Sequence, residues 1–398
     1  MVRNLSRLIT ISAGIALAAL SFVQGWAGIF REQEPALAIK LAPWDSRARA
    51  VLASRALLQS TDAKTLAEAD ILVRSSLQRE PIQAIGLRVA ASVADIQGRA
   101  ELAQKLMTAS AALSRRDVLT QLWWIEHYSR TDDVVHTLSH YDIALTSSED
   151  SWQILFPVLV GVSGDIEFAR PLGDFFSRHR DRPWRAQLLA TMIGSVSDPN
   201  SLMRWLPAVL DRSSAGDREL LRNLMQRLVD AQQFDPAFDV YRQVTARRDL
   251  SSEQPRNADV RSAVYPPFDW DLANEANRSA QIISADGKTI MTISASDQRG
   301  PLAGQLVKLS PGRYRFGLVM AGVTVGDGLG IDLSCATATI ASQQPPRSYP
   351  LDTSSGSGEA LIETVPGCTW HRLVLNYGGT RSGDFFSANV AEVSLQRQ

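Results

Sequence analysis

The chain has 398 residues, 45% of them apolar and 21% charged, proportions that exclude wholesale disorder, a collagen-like fibre and a multi-span membrane protein. Single domains usually hold about 100 to 200 residues, so at least two are expected. Lys plus Arg number 41 against 42 Asp plus Glu, and the net charge of -1 gives no electrostatic footprint for nucleic acid.

The first element runs from Leu8 to Phe30, 23 residues without a charged side chain and rich in Ile, Ala and Leu. As a helix rising about 1.5 Å per residue it would reach about 34 Å, enough to span a bilayer. Arg3 and Arg7 precede it, and the positive-inside rule keeps the N-terminus in the cytoplasm and sends everything after Phe30 to the far side. Ala16-Leu17-Ala18 fits the cleavage pattern of a secretory signal peptide, the alternative reading. Against it, the apolar run continues through Phe22, Val23, Trp26, Ile29 and Phe30, beyond the roughly 7 to 15 residues of a signal h-region. A core helix is the third option, and the lack of an amphipathic pattern speaks against it. Residues 1–30 are therefore expected to be a cytoplasmic N-terminus and a single membrane anchor.

Glycine marks the next boundary: residues 31–264 hold 7 Gly in 234, while residues 265–398 hold 15 in 134. Residues 31–250 read as helical. Between Pro81 and Leu113, Ile82, Ile85, Val89, Val93 and Ile96, then Leu102, Leu106, Ala109 and Leu113, recur at three- and four-residue spacings, the pattern of two amphipathic helices separated at Gly98. Small residues recur with a longer period: Ala69 and Ala103 stand 34 apart, as do Ser76 and Ser110, and Pro81 closes the earlier unit. With Leu87, Ala91, Gly98 and Ala103 at the corresponding offsets, the region resembles the tetratricopeptide repeat. The match is partial, since Lys64 stands where the turn glycine would be and Arg115 replaces a closing proline; Ala237 to Tyr241 repeats one later fragment. The resemblance implies a helical solenoid whose concave surface holds a protein segment; a plain spacer is the alternative. Ser251 to Pro267, poor in apolar periodicity and carrying three Pro, reads as a linker spanning residues 251–267.

Residues 268–398 are expected to be strands. Tyr314 to Val319 alternates, Asp286-Gly287 sits between Ile282-Ile283 and Ile290 to Ile293 as a hairpin turn, and Pro311-Gly312 marks another turn. Further strands are expected at Gln305 to Leu309, Gly330 to Cys335, Ala360 to Val365, Thr369 to Tyr377 and Asn389 to Leu395. Some eight short strands at near-regular spacing predict an antiparallel, jelly-roll-like sandwich. Its pattern resembles the galactose-binding-like and carbohydrate-binding sandwiches of bacterial envelope proteins, a likeness of architecture. Cys335 and Cys368 are the two cysteines, and in an exported chain an even count predicts one disulfide. Neither has a His or further Cys at metal-ligand spacing.

The sequence carries no recognisable catalytic constellation. Gly161-Val162-Ser163-Gly164 is one residue short of a nucleophile elbow, and Gly326 to Gly330 lacks the strand-turn-helix setting of a phosphate loop. His136 and His140 could share a helix face, but without the zincin Glu or a third ligand they read as an ordinary helix pair. In Phe268 to Leu272, alternation would turn Phe268, Trp270 and Leu272 inward and leave Asp269 and Asp271 in water. Tyr314, Phe316 and Leu318 likewise share a core face. After Cys368, Trp370, Arg372, Val374 and Asn376 share one face and His371, Leu373, Leu375 and Tyr377 the other. If the leucines are buried, Trp370, Arg372 and Asn376 form a candidate glycan platform, an aromatic face flanked by a guanidinium and an amide; packing of Trp370 against a loop or the disulfide is the alternative.

These readings add up to a multidomain α then β protein: an N-terminal transmembrane helix, a tetratricopeptide-like α-solenoid and a C-terminal antiparallel β-sandwich. The domain pairing resembles envelope and polysaccharide-export systems of Gram-negative bacteria. That resemblance implies a non-catalytic scaffold in the inner membrane with its bulk in the periplasm, holding an envelope protein on the helices and a polysaccharide on the sandwich. No cofactor or metal is expected. The alternatives are a protein-assembly factor without glycan affinity and a polysaccharide-modifying enzyme.

Overall fold

The computed structural model describes residues 18, 20–245, 260, 265–285, 288–296, 299–323, 328–353, 357–378 and 385–398. Most of the expected anchor lies outside these residues; residues 20–30 are helical, and among the described residues no helix is long and apolar enough to cross a membrane. By contact density the chain forms two compact units, Met1–Leu159 with Arg178–Arg185, and Val160–Ser177 with Ala186–Gln398. The division does not follow the change from helix to strand, because the last helices belong with the sheets. Most of the expected linker, residues 251–259 and 261–264, lies outside the described residues.

The first unit is built of successive helix pairs: Ser46–Gln59 with Ala63–Arg79, Ala84–Ile96 with Ala100–Leu113, and Val118–Ser129 with Val134–Ser147. The small residues that recur in the sequence sit where paired helices touch, and Ala69, Ala103, Ser76 and Ser110 are fully buried. The two serines do the same job one repeat apart. Ser76 Oγ donates to the Ser46 carbonyl (2.6 Å) and Ser110 Oγ to the Ala84 carbonyl (2.9 Å), so each second helix is tied to the first residue of its partner. Asp45, Asp62 and Asp133 cap helix N-termini by accepting from the third residue on. Gly98 closes the Ala84–Ile96 helix at φ 77°, with its N–H on Asp95 and that of Arg99 on Ala94, a left-handed C-cap that glycine adopts without strain. Between repeats, Arg88 Nε donates to Asp117 Oδ2 at 2.7 Å with both side chains largely buried, and Arg88 Nη1 reaches Ser54 Oγ at 3.1 Å.

In the second unit two antiparallel sheets face each other. Strands β1 (Asp271–Leu272), β2 (Asn274–Glu275), β3 (Arg278–Ala285), β4 (Lys288–Ser296), β5 (Gly300–Lys308), β6 (Arg313–Ala321), β7 (Leu329–Cys335), β8 (Arg347–Pro350), β9 (Ser357–Glu363), β10 (Trp370–Tyr377) and β11 (Phe385–Arg397) divide into a five-stranded sheet, β1-β5-β10-β7-β8, and a six-stranded one, β2-β3-β4-β11-β6-β9. The expected hairpin is present as β3 paired to β4, with Ala285 opposite Lys288; its turn residues 286–287 lie outside the described residues. Alternating side chains meet between the sheets: Ile331, Leu333, Leu373 and Leu375 from one, Met291, Phe316, Val393 and Leu395 from the other, with Trp270, Tyr314 and Tyr377 buried among them. The short strands β1, β2 and β8 carry too few residues for alternation to mark them in sequence.

Cys335 at the end of β7 is bonded to Cys368 just before β10, with Cα atoms 5.8 Å apart, beside Val365 and Ile340. The bridge joins residues 33 apart in the sequence. Replacing both cysteines by alanine should lower the unfolding free energy of the sandwich by about 3 to 4 kcal/mol. Denaturant unfolding followed by tryptophan fluorescence checks this, and a loss below about 1 kcal/mol would contradict it.

Candidate functional site

The outer face of the five-stranded sheet is organised in transverse rows set by strand register. Trp370 lies opposite Lys308; Arg372 lies between Leu306 and Ser334; Val374 lies between Gly304 and Asp332, and that row extends to Asp271 on β1 and Ser348 on β8. Asn376 follows, between Pro301 and Gly330, after an irregularity in the β5–β10 ladder. The pleat thus gathers Trp370, Arg372, Val374 and Asn376 on one face, as alternation requires, while His371, Leu373, Leu375 and Tyr377 point into the interior.

Trp370 is nevertheless only 4% exposed, which corrects the expectation that it forms an open platform. The helix Phe234–Val244 lies over this end of the face. Phe234, Phe238 and Phe268 surround the indole with ring centroids 6.1, 5.7 and 5.6 Å away. Trp370 Nε1 donates to Asp235 Oδ1 (3.1 Å), and the Lys308 ammonium reaches the same oxygen (2.8 Å) while standing 5.8 Å from the indole centre. Leu306, on the same outer face, is fully buried, and its N–H donates to the Pro267 carbonyl.

A second correction concerns Asp269, read as solvated on the outside of a strand. It is 4% exposed: Oδ1 accepts the Tyr241 hydroxyl (2.7 Å) and Oδ2 the Tyr265 N–H (3.1 Å). The strand starts only at Asp271, so Phe268 and Trp270 do not share a face. Trp270 belongs to the inter-sheet core, whereas Phe268 joins Phe238, Tyr241 and Trp370 outside it.

Beyond the helix the face is open. A concavity of about 420 Å³ has Gly304 and Val374 at its floor and Asp271, Asp332, Ser334, Arg372 and Asn376 around it. A Cβ on Gly304 would meet Val374 Cγ2 at 3.7 Å, an ordinary contact, so the glycine's role here is to keep the floor low. Asp332 and Asn376 also line an adjoining concavity of about 590 Å³ that ends at Gly328, Tyr349 and Pro350. Among the described residues, no hydrogen bond or ion pair engages the side chains of Asp271, Asp332, Arg372 or Asn376. Two acceptor carboxylates, a guanidinium donor fork and an amide around an apolar floor suit a polyhydroxylated ligand, whose hydroxyls both donate and accept. Arg372 and Asn376 were legible from alternation along one strand. Asp271, Gly304 and Asp332 were not, because they arrive from strands far apart in sequence.

The histidine pair sits in the first unit. His136 Nδ1 contacts the N-cap Asp133 (2.7 Å), while His140 is half-buried, bonded to Gln121 (2.7 Å) and stacked on Trp124 and Tyr128. Among the described residues no three His, Cys, Asp or Glu side chains converge on a metal-sized site.

No protein-family model and no curated protein matches the chain. Among solved structures, one similar to it is that of TmCBM61 in complex with beta-1,4-galactotriose, at 16% identity and a TM-score of 0.25, the match covering 36% of this chain and 97% of that chain.

Behind the candidate face, His371 is fully buried next to the disulfide, and its Nε2 accepts the Val365 N–H at 3.1 Å. Burial lowers its pKa from 6.5 to about 4. In the unfolded chain the imidazole protonates below pH 6.5, whereas in the fold it resists until about pH 4, so its stabilising effect is complete above 6.5 and is lost as pH falls through that window. The loss amounts to at most about 3 kcal/mol. Unfolding midpoints of wild type and His371→Asn between pH 7 and 4.5 test this: the acid-side slope should be shallower in the variant, and equal slopes would contradict the assignment.

Proposed function

We propose that the protein is a non-catalytic scaffold with two binding surfaces, a glycan-binding face on the sandwich and a protein-binding groove on the helical repeats. The observation that carries the first is the half-open sheet face, where Arg372, Asn376, Asp271 and Asp332 surround Gly304 and Val374 with their polar groups unengaged among the described residues. Supporting the second is a groove of about 250 Å³ lined by the first helix of each of three consecutive pairs: Leu57 and Leu58 from one, Arg88 and Val89 from the next, Leu122 and Trp123 from the third. The exposed or half-buried Leu57, Leu58, Leu122 and Trp123 beside a buried guanidinium suit an amphipathic protein segment. The tetratricopeptide likeness, carried by the 34-residue recurrence of Ala69 with Ala103 and Ser76 with Ser110, favours the same use.

The location we propose is the periplasmic side of the inner membrane of a Gram-negative envelope, as part of polysaccharide biosynthesis or export. Its support is the uncharged run Leu8 to Phe30 behind Arg3 and Arg7, together with the Cys335–Cys368 bridge, which suits an oxidising compartment. A second reading, a protein-assembly factor without glycan affinity, is favoured by one observation: the aromatic most suited to stacking on a sugar, Trp370, is consumed by packing.

Retardation of the full chain in gels containing neutral or acidic polysaccharides, followed by titration with the retarding glycan, separates the readings. Arg372→Ala and Asn376→Ala should each weaken binding roughly fivefold to tenfold and leave stability within about 0.5 kcal/mol. Trp370→Ala should cost about 3 to 5 kcal/mol of stability, as removal of a buried ring does. Migration unaffected by every glycan would leave the assembly-factor reading.

A further inference from the structure

The open face does not end at the edge of the sheet. A concavity of about 320 Å³ adjoins the first and shares Asp271 and Arg372 with it. Its other walls come from the helical part of the same unit: Gln226 and Asp230, one turn apart on the exposed side of the helix Ala215–Asp230, and Gln232 in the turn that follows. Pro266 and Pro267 line it as well.

Gln232 stands at φ 59°, in the left-handed region. It ends its helix in the same way that Gly98 ends the Ala84–Ile96 helix: the Gln232 N–H donates to Val229 and the Gln233 N–H to Leu228. That position favours glycine, and a side chain there costs free energy. The side chain is used: Gln232 Oε1 accepts the Ala338 N–H at 2.9 Å, just past the end of β7, which leaves its Nε2 to donate. Gln226 Nε2 donates to Asp230 Oδ1 (2.8 Å), so an oxygen of each remains to accept. A non-glycine residue held in a left-handed conformation, anchored through its amide oxygen and lining a cavity, is a local cost that a ligand contact would explain.

Resting on the glycan reading of the sheet face, we infer that the binding site is composite. The trough along β10, from Asn376 through Val374 to Arg372, continues onto the helical residues Gln226, Asp230 and Gln232, and one extended glycan of several sugar units lies across both. From Arg372 to Asn376 alone the trough runs about 13 Å at about 3.3 Å per residue, and the flanking concavities lengthen it at each end. Its charges are mixed: Asp271 and Asp332 stand in the Val374 row, Asp230 on the helical wall and Arg372 where the two concavities meet. A polyanion would meet three carboxylates, whereas a neutral polyol can donate to these and accept from the guanidinium of Arg372. The ligand is thus a neutral chain bound along its length, and the sandwich alone is an incomplete site.

The test is calorimetric titration of the full chain with neutral β-linked gluco- and galacto-oligosaccharides from the monosaccharide to the hexasaccharide. Affinity should rise with length up to the longest members. Asp230→Ala and Gln232→Gly should each weaken hexasaccharide binding roughly fivefold to tenfold, one hydrogen bond's worth, while leaving disaccharide binding unchanged. Gln232→Gly, which relieves the backbone, should also keep the melting temperature at or near the wild-type value, so that lost affinity cannot be ascribed to unfolding. Equal affinity for all lengths, or helical variants that bind the hexasaccharide like wild type, would overturn the composite site while leaving the sheet-face reading intact. Failure of wild type to bind any length would overturn both.

Discussion

Trp370 sets the organisation of the second unit. Alternation places its ring on the outer face of a sheet, where an indole must either remain in water or find a cover that also satisfies its N–H. The helix Phe234–Val244 supplies both, with Phe234 and Phe238 against the ring and Asp235 accepting from Nε1. An aromatic side chain buries about 150 to 250 Å², which at about 25 cal/mol per Å² is at most roughly 4 to 6 kcal/mol each. Asp235 is shared with Lys308, so the carboxylate is held from two sides. Because this cover occupies the Trp370 end of the five-stranded sheet, the remainder of the face, around Gly304 and Val374, is the part left open. The same packing explains why the last helices belong with the sheets.

How much of this could be read from the sequence depended on the range of the interaction. The strand pattern, the inter-sheet core of Phe316, Leu318, Leu373 and Leu375, and the pairing of Cys335 with Cys368 follow from a period of two and an even cysteine count. The repeat signal of Ser76 and Ser110 was legible because each serine meets the carbonyl of the first residue of its partner helix, a contact within one helix pair. The burial of Trp370 was not, since its covering carboxylate lies 135 residues away in sequence. Asp269 is hidden for a related reason: it precedes the strand, in a turn where Tyr241 and Tyr265 rather than strand alternation fix its side chain. Of the candidate face, Arg372 and Asn376 could be named from one strand, whereas Asp271 and Asp332 need the order β1-β5-β10-β7, which no local pattern reveals.

The polar groups of the face stand mainly on paired strands, which suits recognition: their backbones are fixed by ladder hydrogen bonds, so little ordering entropy is lost when a ligand arrives. The disulfide reinforces this by tying the end of β7 to the start of β10, the strands that carry Asp332 and Arg372. Gln232, outside the sheet, is held instead by its bond to Ala338, so the helical wall is anchored to the residues that follow β7.

The most direct test of the account is amide hydrogen exchange of the full chain with and without a bound neutral oligosaccharide. Added protection is expected in β1, β5, β7 and β10 and in the turn around Gln232, with β3, β4, β6 and β9 unchanged. Protection confined to the six-stranded sheet or to the helical repeats of the first unit would contradict it.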